Sequence, residues 1–287
     1  MSEASVIHDI GYQRYSGHRL GRAAVLWALY VHGLRACFGF GRTFKSKIFP
    51  WGIAGICLLV AVILAAVRSQ AGIIIFNYIT YDDAMSWLII FFAAVCAPEL
   101  VSRDLRAGVL PLYFSRPLRA ADYVIAKMAA LVTAVWLLLA VPQLVMFASA
   151  AFGTKTGMKG VWHELGDLLP GWGYSLVWGF VFAAIGLLIA SLTGKRAFAA
   201  VGIVAAFLVT TPAFGVMQVL PSETAHQLGG LVSPMMLING VGFWMLGNPD
   251  SGLDIGRFGP VYGIEAATLI LACLLLLLAR YRKVSSL

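Results

Sequence analysis

Long apolar runs alternate with short charged stretches along the whole chain, and this alternation predicts six membrane-crossing helices. The first run without charge is Ile48 to Val67. Twenty helical residues suffice to cross a hydrocarbon core of roughly 30 Å. Later runs predict span two from Ala84 to about Leu100, span three from Tyr123 to Ala151 with a kink at Pro142, and span four from Trp172 to Leu192. Span five follows over Ala197 to Val219, carrying Pro212, and span six over Val261 to Ala279. Two apolar stretches fit no crossing. In residues 23–47 the apolar piece Val25 to Val31 is too short to span, and His32, Arg35, Arg42 and Lys45 recur on one helical stripe. An in-plane elbow helix at the cytoplasmic headgroups is expected there, with Trp27 and Tyr30 at the interface. The run Leu231 to Leu246 is interrupted by Pro234, Gly240 and Gly242, so a re-entrant or surface helix is expected rather than a seventh crossing.

Polar connectors separate these elements. Gly72 to Ile79 with Asp82 and Asp83 predict an outer hairpin, and Lys155, Lys159, His163, Glu164 and Asp167 an outer loop. Thr193 to Arg196 predict a tight turn. The fold class is therefore an all-α integral membrane protein in one domain over residues 1–287. It comprises a cytoplasmic lead-in over 1–22, an elbow helix over 23–47, a six-span bundle over 48–280 and a cytoplasmic tail over 281–287. The polar start of the chain, with its first apolar run so late, predicts no cleavable signal peptide.

Composition agrees with this reading. Hydrophobic residues make up 60% of the chain and charged ones 12%, about half the charged fraction of a soluble domain, which is about 25%. Cys37, Cys57, Cys96 and Cys273 lack C-x-x-C spacing, so neither a disulfide framework nor a zinc site is expected. The formal charge of +8 is a matter of topology. Six crossings put both termini on one side; that side carries seventeen Lys and Arg, and the other carries Arg68, Lys155, Lys159 and Arg257. Seventeen against four makes the termini cytoplasmic and leaves no nucleic-acid footprint to explain.

The most charged segment lies between spans two and three, from Glu99 to Lys127. Arg103, Asp104, Arg106, Arg116, Arg119 and Asp122 cannot sit unpaired in hydrocarbon, so the segment faces water or another protein. Gly108 and Pro111 forbid one continuous helix, and Pro117 suits the first turn of a new one. A short lateral helix from about Arg106 to Phe114 is expected between the two breaks.

The order Arg103-Asp104, Gly108, Ser115-Arg116-Pro117, Tyr123 and Ala126-Lys127, after the acidic Glu99, resembles the cytoplasmic loop of type-2 permeases of ATP-binding-cassette (ABC) transporters. Val109 departs from the threonine usual after the loop glycine. The resemblance implies an exporter subunit whose loop 100–122 forms a coupling helix on a separate ATPase. It also implies two ATPase subunits per complex and a second permease copy or a related permease beside this one. ATP and Mg would be bound on the partner ATPase, with no cofactor on this chain, and the location would be the plasma (inner) membrane among its lipids. It assigns ATPase coupling to Glu99, Arg103, Asp104, Arg106, Gly108 and Arg116.

The residues themselves allow other readings. No G-x-x-x-x-G-K-[ST] occurs; Gly194-Lys195 is followed by Arg196 and reads as a turn, so any ATP-derived energy must enter through a partner. Glu99 is either a brace paired with Arg103 or a partner arginine, or a plain interfacial acid. Glu265 inside span six either lines a substrate path or reaches outer headgroup water. His163, Glu164 and Asp167 lack a second histidine at ligand spacing and read as a solvated loop. Gly186, Ala190, Gly194, Gly202 and Ala206 form small faces for packing within the subunit. The sparse charge within the spans suggests a hydrophobic or amphipathic substrate. A gradient-driven secondary transporter or channel and a non-transporting membrane assembly factor are the alternatives to the exporter.

Overall fold

The computed structural model of the protein describes residues 21–108, 110, 113, 118–153, 157–247 and 253–285. Among them every regular element is helical. The order is α1 (Arg22–Cys37), α2 (Phe44–Ala71), α3 (Tyr78–Ala84), α4 (Ser86–Leu100) and α5 (Ser102–Arg106), then α6 (Ala120–Gly153), α7 (Met158–Leu192) and α8 (Arg196–Val219). A hairpin of α9 (Glu223–Leu228), a 3-10 turn (Gly229–Val232) and α10 (Pro234–Leu246) precedes α11 (Gly259–Ser285).

Five helices, α2, α6, α7, α8 and α11, are long and apolar enough to cross a membrane, and the count reaches seven if two bent pairs each make one span. α6 and α7 form the centre. In each, 67% of the apolar window is buried, against 28%, 17% and 22% in α2, α8 and α11. The outer three therefore turn most of their apolar surface away from the protein, as lipid-facing helices do. At 1.5 Å per residue α6 and α7 are each about 50 Å long, well beyond a hydrocarbon core of roughly 30 Å, so their ends project from it.

The boundaries differ from the sequence expectation in five places, each for a local physical reason. The segment 23–47 is not one helix. Gly39 and Gly41 take left-handed φ values of 69° and 78°, which ends α1 and lets Phe44 to Lys47 join α2. α1 also packs lengthwise on α6: Arg22 meets Asp122, and a Cβ on Gly33 would lie 2.9 Å from that of Ala130. Asp82 and Asp83 lie in α3, which bends by 60° from the helix beginning at Ser86. Asn77 starts α3 by accepting a hydrogen bond from Thr80 N at 2.7 Å.

The expected outer loop is helical from Met158 and continuous with span four through Pro170. The run from Pro234 is likewise unbroken: Pro234 opens α10, Gly240 and Gly242 stay within it, and Gly247 caps it at φ 64°. Both glycines mark close approaches, since a Cβ on Gly240 would lie 2.2 Å from the Tyr262 ring and one on Gly242 2.6 Å from that of Tyr174. α9 with its 3-10 turn and α10 meet at 115°, the geometry of a broken span or a re-entrant loop. Finally, the tail expected at 281–287 continues α11 as far as Ser285, with Tyr281 buried. Other limits lie close to expectation: α6 runs as one helix through Pro142, where a kink was expected, α8 runs through Pro212, and the Thr193 turn joins α7 to α8.

The small residues of α7 and α8 pack inside the subunit. A Cβ on Gly186 would lie 3.3 Å from that of Ala97, and one on Gly202 3.1 Å from Ile189.

Candidate functional site: a cross-braced charged loop

α4 ends at Leu100, and Val101 breaks the helix with φ −125°. α5 follows for five residues, its start pinned by Ser102 Oγ donating to Ala190 O on α7 at 2.7 Å. Gly108 closes the segment in the left-handed region at φ 62°, a conformation that costs a side-chain-bearing residue about 1–2 kcal/mol. Arg116 and four of the nine residues of the expected lateral helix lie outside the described residues; Leu110 and Tyr113 are described and helical.

Three acids beside this segment each bind bases from other helices. Glu99 accepts from Arg42, which precedes α2, and from Arg196 Nη1 at the start of α8 at 2.8 Å, and it lies 3.6 Å from Arg103 Nη1 one turn on. The Glu99 side chain is 12% exposed, and its contacts join the end of α4 to the segment before α2, to α5 and to α8. The arginines that engage it belong to this chain. Asp104 receives Lys127 Nζ and Tyr123 OH, both from α6 and both at 2.8 Å on Oδ2. Tyr123 in turn packs against Tyr281 at a tilt of 50° with ring centres 4.9 Å apart, which ties the end of α11 to the same point.

Asp122 takes a two-pronged contact from Arg22, Nε at 2.8 Å and Nη2 at 2.6 Å. It also accepts from Arg119 N at 3.0 Å, reaching back over the helix start as a capping box does. The hydrogen bond to Asp122, with the carboxylate charge behind it, raises Arg22 above its ordinary value.

The expected coupling residues thus divide into two groups. Glu99 and Asp104 turn inward and hold the loop to the spans. Arg106 and Gly108 are exposed, Arg103 is 46% exposed while still in reach of Glu99, and Gly194 of the α7–α8 turn lies under the Arg106 backbone. Glu265 belongs to neither group. It is exposed on α11 beside Ile264, sixteen residues and about 24 Å of helix from Tyr281.

A second polar cluster escaped the sequence reading. Asp82 is fully buried and accepts from Gln143 Nε2 at 2.6 Å and Ser175 Oγ at 2.5 Å, from the two central helices. Asp83 accepts from Tyr174 OH at 2.6 Å, and in its better-satisfied amide orientation Asn239 of α10 donates to Asp83 at 2.9 Å. Gln143 in the middle of an apolar run was the available sequence signal. Nearby, Arg68 of α2 forks onto Glu164 of α7, which also accepts from Tyr78 OH at 3.3 Å. Glu164 therefore belongs to an interhelical contact, while His163 and Asp167, 3.4 Å apart, are the exposed pair expected of a solvated segment.

All four cysteines are buried and free, and no cluster of three or more metal-ligating side chains occurs among the described residues. A scan of the chain against protein-family models and a search of curated proteins find no match.

Proposed function

We propose that this chain is the membrane-spanning subunit of an ATP-driven ABC exporter and that loop 100–122 receives force from a separate ATPase. The observation that carries the reading is the bracing of α5. Glu99 and Asp104 link the loop to α2, α4, α6 and α8, while Arg106 remains exposed at its surface. A push on such a loop is delivered to several spans together instead of being absorbed locally. In this reading α3–α4 is one broken span, so the spans number six, α1 is the elbow and α9–α10 is a re-entrant outer segment. The distribution of Lys and Arg supports cytoplasmic termini in a plasma (inner) membrane. The chain would pair with a second permease and two ATPase subunits, which bind ATP and Mg, and would move a hydrophobic or amphipathic substrate.

One observation favours gradient-driven transport as a second reading. Asp82 is a fully buried acid among neutral hydrogen-bond partners within the helical bundle, the kind of group that proton and ion pathways use. The two readings separate in proteoliposomes. For the exporter, the purified chain brings down an ATPase with a Walker motif, and Arg106→Glu abolishes ATP-dependent transport without lowering the thermal midpoint of the chain. Transport by the chain alone under an ion gradient, lost in Asp82→Asn and untouched by Arg106→Glu, rejects the exporter.

A further inference from the structure

A groove of about 470 Å³ opens where the end of α1 meets α2 and the middle of α6. Its walls are almost wholly apolar, formed by Phe38, Trp51, Gly55, Leu58 and Val141 among others, and Arg35 is the one charged residue that lines it. This volume falls in the range of roughly 300–1,000 Å³ typical of small-molecule sites. Trp51 and Phe40 at the rim are each about half exposed, at 50% and 49%. Trp51 Nε1 is already engaged with Phe38 O at 3.1 Å, so the polar capacity left at the mouth is the Arg35 guanidinium.

Charge around the groove is unbalanced. The described acids on this side, Glu99, Asp104 and Asp122, are taken by Arg42, Arg103, Arg196, Lys127 and Arg22. Arg35, Lys45 and Lys47 have no acidic partner among the described residues, and all three lie on the α1–α2 elbow. An apolar slot lined by an arginine that has no acidic partner among the described residues, on the side richer in Lys and Arg, matches an amphiphile with an anionic head.

We propose that the groove is a binding site for one anionic phospholipid of the cytoplasmic leaflet, with an acyl chain between α2 and α6 and its phosphate on Arg35. The site depends on the sidedness of the chain and not on its being an exporter. A bound lipid would join the elbow to spans one and three and stiffen the element next to the Glu99 brace.

Native mass spectrometry of the full chain released from detergent, with added phosphatidylglycerol, phosphatidylcholine or inorganic phosphate, tests the proposal. Phosphatidylglycerol should be retained in preference to phosphatidylcholine. Arg35→Gln should reduce that retention about fivefold, the effect of one basic residue near an anionic headgroup, whereas Arg119→Gln on the exposed loop should not change it. Gly55→Leu, at a position that lines the slot and where an added Cβ meets nothing within 4 Å, should also displace the lipid while improving helix propensity. Equal retention in Arg35→Gln overturns the proposal, as does unchanged retention in Gly55→Leu. Displacement of the lipid by inorganic phosphate would mark a bare anion site and overturn it as well.

Discussion

Lys127 shows most directly how a single side chain is committed here. Its side chain is 4% exposed, and its ammonium lies on Asp104 and over the Tyr123 ring, 5.2 Å from the centroid. Removing one member of such a pair leaves the other charge buried, a loss of about 3–5 kcal/mol, whereas replacing both by neutral groups is often close to harmless. Lys127→Met should therefore lower the thermal midpoint in detergent sharply, and Asp104→Asn combined with Lys127→Met should recover most of the loss. A double variant as unstable as the sum of the singles would show that the two residues do not act as a pair. Lys127 was visible in the sequence as the lysine opening span three. That Asp104 turns inward to meet it was not, because the two are joined through a segment whose path no local pattern specifies.

Among the elements, α10 carries the clearest lesson. Read along the chain, Gly240 and Gly242 look like breaks, because glycine is a poor helix former in isolation. In the folded protein they are the positions where α10 presses against Tyr262 and Tyr174, and packing outweighs propensity. Gly240→Ala should cost about 1–3 kcal/mol through overpacking, despite a helix-propensity gain of about 1 kcal/mol. Gly215→Ala in α8, where an added Cβ meets nothing within 4 Å, should be neutral or stabilising. Thermal unfolding of both variants checks the contrast, and equal midpoints would refute the close-packing account. The same competition explains the outer stretch after Gly157. Its charges suggested a loop, but Lys159, His163 and Asp167 fall four apart on one helical side, and Glu164 finds Arg68.

For the whole molecule, the arrangement is a buried core of α4, α6 and α7 flanked by α2, α8 and α11, which keep most of their apolar surface outside it, with paired charges gathered around α5 and a smaller polar cluster around α3. The proposed orientation of this bundle rests on the distribution of Lys and Arg. Single cysteines placed at Lys195 and at Lys159 should react with a membrane-impermeant maleimide from opposite faces of the membrane. The buried native thiols should keep the background low. Labelling of both positions from the same face would reject the topology, and with it a cytoplasmic place for the Glu99 brace.

By itself the sequence determined where most of the helices run, which of them suit a membrane and where along the chain the positive charge gathers. Hydropathy and charge count are sums over neighbours in the chain, so they survive without any knowledge of packing. Only the tertiary structure decided which charges meet, because Arg42 and Arg196 stand 57 and 97 residues from Glu99, and Arg22 stands 100 from Asp122. It also decided that Asp82 is buried against α6 and α7 rather than lying in an outer hairpin. A carboxylate declares its partners only when the helices carrying Gln143 and Ser175 close around it.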